Sequence, residues 1–241
     1  MSNNSTREKY SWNQDSNYLK YESRLGLWND DYMDFLVQNV WKITDPVNII
    51  DFGCGLGFMG YFLLPKLPER STYTGIDIES KLLEEARSFF EKSGVQATFK
   101  EHDLFEYIPE KKYDIAISHA VLIHLPKAQT ILEKMKQSVV DGGKIICVEP
   151  NWSVLHAGSF VERANPDEFS DLGKLQKDYA EEYANDEVDR RIGTKIPVYM
   201  ARLGLKDVSA RINDKVSIEF SENDDKYAVS QQAWTISYGT V

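Results

Sequence analysis

The sequence predicts an α/β fold built on a doubly wound, mostly parallel sheet, and three observations carry that prediction. Short apolar runs alternate with amphipathic stretches from Val47 to Val148. A glycine-rich turn, Gly53-Cys54-Gly55-Leu56-Gly57, joins the first run to the first helix of the series. Acidic residues stand at the ends of three successive runs, Asp51, Asp77 and Asp103. Strands that alternate with helices at this spacing form βαβ units, whose sheet is covered on both faces.

Residues 1–15 are polar and carry no periodicity, whereas residues 16–42 place apolar side chains at helical spacing. Leu25 and Trp28, then Met33, Leu36, Val37, Val40 and Trp41, predict two short amphipathic helices separated by the capping-type cluster Asn29-Asp30-Asp31. A strand follows at Val47 to Phe52, then a helix from Phe58 to Leu64 ended by Pro65. Tyr73 to Ile78 is the second strand. Ser80 is expected to cap the next helix, which Gly94 stops after Lys92. Ala97 to Glu101 and Tyr113 to Ser118 are the third and fourth strands. A helix over Ala128 to Val139, closed by Asp141-Gly142-Gly143, leads to a fifth strand at Lys144 to Val148. Periodicity then fades until a helix at Ile196 to Leu203 and a strand at Val208 to Ile212. Asn213-Asp214 reads as a turn that pairs this strand with Val216 to Phe220. The last strand of the sheet falls either there or at 233–239.

Four sections result: an N-terminal helical cap (1–45), a core (46–150), an insertion (151–193) and a C-terminal helix with strands (194–241). The insertion holds ten acids against five bases and is expected to be partly helical and largely solvated. Its aromatics Trp152, Phe160, Phe169, Tyr179 and Tyr183, with Met200 and Trp12, are candidates for the wall of an apolar cavity.

Charge narrows the function. The 28 Lys+Arg against 38 Asp+Glu give a net charge of −10, which disfavours binding to a phosphate backbone. Two cysteines, Cys54 and Cys147, are too few for a disulfide framework and fit reduced thiols in the cytoplasm. The polar start has no signal-peptide pattern, and the longest apolar stretch, Ile115 to Leu125, is far short of a membrane span, so a cytoplasmic protein with no membrane partner is expected.

Glycines at a strand's carboxyl end allow a tight turn and let a ligand approach the backbone. Gly55-Leu56-Gly57-Phe58-Met59-Gly60 also satisfies G-x-G-x-x-G, so a dinucleotide competes for this loop and an NAD(P)-dependent oxidoreductase is one alternative. The acids favour another ligand. Asp77 is placed to accept both hydroxyls of a ribose, Asp103 to accept from an adenine amino group, and Asp51 opens the glycine motif itself. Three carboxylates make a poor pocket for a pyrophosphate and a good one for a cationic nucleoside.

Asp51 to Gly57, Gly75-Ile76-Asp77-Ile78, His102-Asp103, Tyr113 to His119 and Asp141-Gly142-Gly143-Lys144-Ile145 together resemble the class I S-adenosylmethionine-dependent methyltransferases. The resemblance covers about Val47 to Asn151. It implies a Rossmann-like, seven-stranded sheet of order 3-2-1-4-5-7-6 with the seventh strand antiparallel, N-terminal helices, and a helical insertion after the fifth strand. It implies S-adenosyl-L-methionine as cofactor, with the backbone of Gly53, Cys54, Gly55 and Gly57 along its methionine part and Asp77 on its ribose. Ile78 would pack on adenine, Asp103 and Leu104 would meet its amino edge, and the His119 backbone would lie near the methionine portion. Tyr21, Arg24 or Trp28 would touch the cofactor from the N-terminal cap.

Methyl transfer needs chiefly proximity and orientation. Where the acceptor needs a base, His119 and His124 are the catalytic candidates, with His156 and Glu149 near the fifth strand. The chain departs from the base-modifying members, having Ser118-His119-Ala120-Val121 in place of their Asn/Asp-Pro-Pro-aromatic motif and no Pro-Cys nucleophile. It also lacks the oxygen-rich Mg²⁺ ligands of catechol-type members. A metal-independent enzyme acting on a small-molecule methyl acceptor, without nucleic acid, is therefore expected; a non-catalytic protein that binds S-adenosylmethionine is the other alternative.

Overall fold

In a computed structural model of the chain, the described residues are 21–151, 160–163, 165, 174, 188–213, 215–221, 226–231 and 234–241. Seven strands form one sheet: β1 (Asn48–Phe52), β2 (Thr72–Asp77), β3 (Thr98–Glu101), β4 (Tyr113–His119), β5 (Val139–Pro150), β7 (Lys206–Ile212) and β10 (Trp234–Thr240). Their order is β3-β2-β1-β4-β5-β10-β7. All neighbours pair in parallel except β10, which runs antiparallel to both β5 and β7. The sheet order reverses between β1 and β4, so their carboxyl ends border the crevice where open α/β sheets bind ligands.

The strands read as continuous apolar runs because both faces are covered. Ile49, Ile115, Ile117, Ile146 and Val148 pack on one side with Met33, Leu36, Trp41, Phe62 and Phe90. Ile50, Phe52, Ile76, Ala116, Ile145 and Cys147 pack on the other with Ile131, Leu132, Met135, Ile196 and Met200. The helices supplying these faces are α1 (Tyr21–Leu25), α2 (Asp30–Phe35), α3 (Phe58–Leu63), α4 (Ser80–Ser93), α5 (Ala128–Gln137) and α6 (Ile192–Arg202). α2 runs on into a π turn at Leu36–Val40, and α6 starts four residues before the apolar periodicity does.

Three local expectations are corrected. Ser80 is the first helical residue of α4 and its N-cap is Glu79, with no side-chain cap bond. α5 ends at Gln137, and Asp141-Gly142-Gly143 lies inside β5, where an irregular register (Tyr113↔Val139, then Ile115↔Lys144) absorbs the glycines. Val216 to Phe220 is not the hairpin partner of β7. It lies in β8 (Val216–Ser221), which pairs with β9 (Lys226–Gln231) in a separate sheet of order β6-β9-β8, β6 being Phe160–Val161. The last strand of the main sheet is β10, where Trp234, Thr235, Ile236 and Ser237 are all buried. Alternation alone cannot distinguish a hairpin that extends a sheet from one that leaves it.

Candidate functional site

The loop after β1 is tied down from both sides. The Gly53 and Cys54 N–H groups donate to the Ile76 carbonyl at 2.8 and 3.0 Å, fastening the turn to β2. Gly53 (φ +72°) and Gly55 (φ +53°) both take left-handed backbone, but their surroundings differ. A Cβ on Gly53 would stand 2.7 Å from Val121 Cγ2, whereas one on Gly55 would meet nothing within 4 Å among the described residues. Gly55 is therefore the open face of the turn. Gly57 caps α3. The Cys54 side chain turns inward against Gly75 and is buried, which pushes its thiol well up.

Asp77 reaches over from the end of β2. Its Oδ2 accepts the Gly55 N–H at 2.8 Å and its Oδ1 the Glu79 N–H at 3.0 Å. Ile78, next along, is 48% exposed although strongly apolar. Asp103 accepts the Phe105 N–H at 2.8 Å through Oδ1, turning the chain after β3. Leu104 is buried in the core with Phe52 and Ile76, and does not lie open on the surface of the crevice.

Asp51 is fully buried and faces away from the open side of the loop. Its Oδ2 accepts the Tyr73 hydroxyl at 2.6 Å, and its Oδ1 has no hydrogen-bond partner among the described residues. Burial raises its carboxyl from 3.8 to about 7, against the pull of Tyr73. Tyr73 was not anticipated as a site residue. The register Ile49↔Tyr73, Asp51↔Gly75 puts it on the same sheet face as Asp51, so aligning the two strands would have revealed the pair.

On the β4 side, His119 lies within an aromatic group. Its ring stacks on Trp234 (centroids 5.1 Å, 20°) and tilts against Phe58 (5.5 Å) and Trp28 (6.3 Å). Burial and then the Arg24 charge hold its pKa well below the usual 6.5. Arg24, on α1, is itself buried and lies over Trp234 with its guanidinium 5.9 Å from the ring centroid. Tyr21, also on α1, donates its hydroxyl to the Leu56 carbonyl and stacks on Phe89, which seats the N-terminal cap on the glycine turn.

His124 ends the short 3₁₀ turn Leu122–His124, and Arg190 donates to its Nδ1 at 2.9 Å. Burial, then Arg190 and Arg24, lower its pKa to about 3. Both histidines are weaker bases than a free imidazole, because low-dielectric surroundings and nearby guanidinium charge both oppose the imidazolium. Glu149 is buried and, among the described residues, accepts backbone N–H groups of the loop after β4. His156, Trp12, Trp152, Phe169, Tyr179 and Tyr183 lie outside the described residues.

Among the described residues, no group of three or more His, Cys, Asp or Glu could hold a metal ion. No helix there is long and apolar enough to cross a membrane.

Comparison with known proteins gives the family and the fold. The family described as "Methyltransferase domain" matches residues 43–227, well over half of the chain. An uncharacterised protein of Methanocaldococcus jannaschii is 34% identical over 109 residues, 45% of this chain and 30% of that protein. Trans-aconitate 2-methyltransferase of Methylobacterium nodulans is 30% identical over 109 residues, 45% and 40% of the two chains. Malonyl-[acyl-carrier protein] O-methyltransferase of Acetivibrio thermocellus is 33% identical over 97 residues, 40% and 33%. The chain thus spans less than half the length of these curated relatives. Among solved structures, a SAM-dependent methyltransferase from Aquifex aeolicus superposes with TM-score 0.60 at 14% identity, covering 97% of this chain and all of that one. Phosphoethanolamine N-methyltransferase 2 of Haemonchus contortus, solved with S-adenosyl-L-methionine, gives 0.59 at 12%, covering 97% and 60%. At such identities these two show the fold alone. With the family match over most of its length and the seven-stranded sheet and glycine turn in place, the chain belongs to the class I S-adenosylmethionine-dependent methyltransferases, enzymes whose cofactor is S-adenosylmethionine.

Proposed function

We propose that the protein transfers the cofactor's methyl group to a small-molecule acceptor by in-line displacement, without a metal ion. The observation that carries the placement of the site is the Asp77–Gly55 contact, at a turn with free space over the Gly55 Cα and an exposed Ile78 beside it. S-adenosylmethionine fits these residues. Backbone from Gly53 to Gly57 would lie along the methionine part, Asp77 would accept the ribose hydroxyls on its remaining lone pairs, and Ile78 would pack on adenine with Asp103 at its amino edge. Arg24 and Tyr21 close the pocket from α1. Asp51 and Leu104 support the turn and the strand end from beneath and make no direct contact.

When bound, the cofactor supplies an electrophilic methyl group on a sulfonium with a good leaving group. What this chain adds is position. His119 and the rings of Trp28, Phe58 and Trp234 form a buried wall that holds the end of β4 in place behind the crevice, and fixed orientation of the acceptor is worth up to about 10 kcal/mol of barrier in ideal cases. His119 stays neutral in that wall, and His124 stays an acceptor for Arg190 at its edge. A small-molecule acceptor is supported by the name of trans-aconitate 2-methyltransferase, and the malonyl-carrier-protein enzyme marks the other possibility, a carrier-bound acyl group.

Calorimetry with S-adenosylmethionine and S-adenosylhomocysteine tests the site, and labelled methyl transfer into a metabolite extract tests the acceptor class. Micromolar binding, with label in small products and a rate unchanged by chelator, is the expected result. Label found only in protein, or turnover abolished by chelator, would overturn the proposal.

A further inference from the structure

Glu149 is the last residue but one of β5 and is not among the residues proposed to hold the cofactor. It is completely buried. Its Oε1 accepts the N–H groups of Val121 (3.0 Å) and Leu122 (2.9 Å), and its Oε2 accepts that of Ile123 (3.2 Å). Three successive N–H groups converging on one carboxylate form a backbone nest of the kind that elsewhere receives a bound anion. Here a side chain of the neighbouring strand fills it.

The loop so held is one the backbone would not choose unaided. Ala120 takes φ +57°, a conformation an L-residue adopts at a cost and keeps only when its surroundings enforce it. The Ala120 N–H is bonded to the Val148 carbonyl at 2.8 Å, so both ends of the enforcement come from the last residues of β5. Two consequences reach the site. The Val121 side chain is the one that lies against Gly53, so the position of Val121 sets how closely the β4 loop approaches the glycine turn. The same turn ends in His124, whose Nδ1 is bonded to Arg190.

We propose that Glu149 is a positioning residue for methyl transfer, one that locks the 120–124 loop against the glycine turn and so sets the width of the cofactor crevice. This rests on the crevice being the cofactor site, as argued above. The charged and titratable groups packed around it are Arg24 from α1, His124 with its partner Arg190 beyond the loop, and Cys147 on β5 itself. Burial pushes the Glu149 carboxyl up to about 7, against the pull of the three N–H groups and Arg24. Protonation takes one oxygen out of service as an acceptor, so the lock loosens as pH falls below neutrality.

The experiment uses the whole chain with S-adenosylhomocysteine as probe, comparing the parent with Glu149→Gln, which keeps the shape and removes the titration. At pH 8 the variant is expected to bind about tenfold more weakly, the equivalent of one buried hydrogen bond lost. Parent affinity should fall several-fold between about pH 8 and pH 6, and the variant should show less of that fall, since Asp51 titrates in both proteins. Equal affinity and equal pH profiles in the two would overturn the role of Glu149. A parent that ignores the probe would overturn the cofactor site instead. If Glu149→Gln does not fold, amide exchange of the parent decides. Protection at Val121, Leu122 and Ile123 should drop between pH 8 and pH 6 relative to β1 and β2, and constant relative protection would overturn the proposal.

Discussion

The two loops that border the crevice are braced by the same device with different results. The turn after β1 is held by a carboxylate from β2, Asp77, and the loop after β4 by a carboxylate from β5, Glu149. In each case the brace comes from the neighbouring strand on the side away from the crevice. Asp77 spends its oxygens on two N–H groups and remains on a half-buried rim beside Gly55. Glu149 gives its oxygens to three N–H groups and is sealed from solvent. Topological position is thus insufficient to make a strand-end carboxylate a ligand group. It needs unspent lone pairs and an open side as well.

The sharpest way to break this contrast is at the seam between the two loops. Gly53→Ala must hold left-handed backbone and push Val121 away, so it should destabilise the fold by about 4 kcal/mol in chemical denaturation. Gly55→Ala carries only the backbone cost, about 1 kcal/mol, because its Cβ meets nothing. Equal losses at the two glycines would mean that the loops do not touch as described. Next in size is Asp77→Ala, which should weaken S-adenosylhomocysteine binding by about 2–4 kcal/mol through lost charge-assisted bonds. Binding at parental strength would show that Asp77, like Glu149, is only a brace.

Most of the fold could be read in advance, because buried parallel strands carry a strong one-dimensional signal. Apolar runs at Ile49–Ile50, Tyr73–Ile76 and Ile145–Val148, each closed by a polar residue, mark the first, second and fifth strands. The glycine turn and Asp77 were legible for the same reason, being local in sequence. What was hidden depends on register or on contacts across the sheet. The Tyr73–Asp51 bond joins two strands, the Trp234–His119 stack joins β10 to β4, and Glu149 could be named as a polar strand end but not matched to the N–H groups of residues 121–123. The β8–β9 hairpin was misplaced because its alternation suits any sheet. The lowered basicity of His119 and His124 was hidden too, because sequence shows an imidazole and not the burial or the arginine beside it.

A third, smaller effect separates the two loops by pH, through Asp51 under the first and His124 in the second. Asp51 lies under the glycine turn much as Glu149 lies within the β4 loop, and its pKa rises from 3.8 to about 7 on folding. A folded-state pKa above the unfolded one gives stability that is complete below the unfolded value and lost as pH climbs to the folded value. His124 works the other way, since lowering from 6.5 to about 3 gives stability present above 6.5 and lost on acidification. In the parent His124 partly offsets Asp51 between about pH 5 and pH 7, and Glu149, also raised to about 7, acts with the same sign as Asp51. Asp51→Asn removes only the first, so across that range it should gain about 2 kcal/mol relative to the parent. Denaturation curves at both pH values check this. Parallel pH dependences would place the titrating proton elsewhere, Glu149 being the next candidate.

The smallest expected effect tests the open side itself. Ile78 follows the Asp77 brace and is 48% exposed, so it contributes little to the folded core. Truncation to Ala removes about two apolar groups' worth of contact with a nucleoside base, close to 1 kcal/mol of affinity after allowance for solvent already present. Ile78→Ala should therefore bind S-adenosylhomocysteine about fivefold more weakly while its unfolding midpoint stays at the parental value. A shifted midpoint with unchanged affinity would mean that Ile78 is packed and not presented. The open side of the first loop would then be no more a ligand surface than the sealed nest of the second.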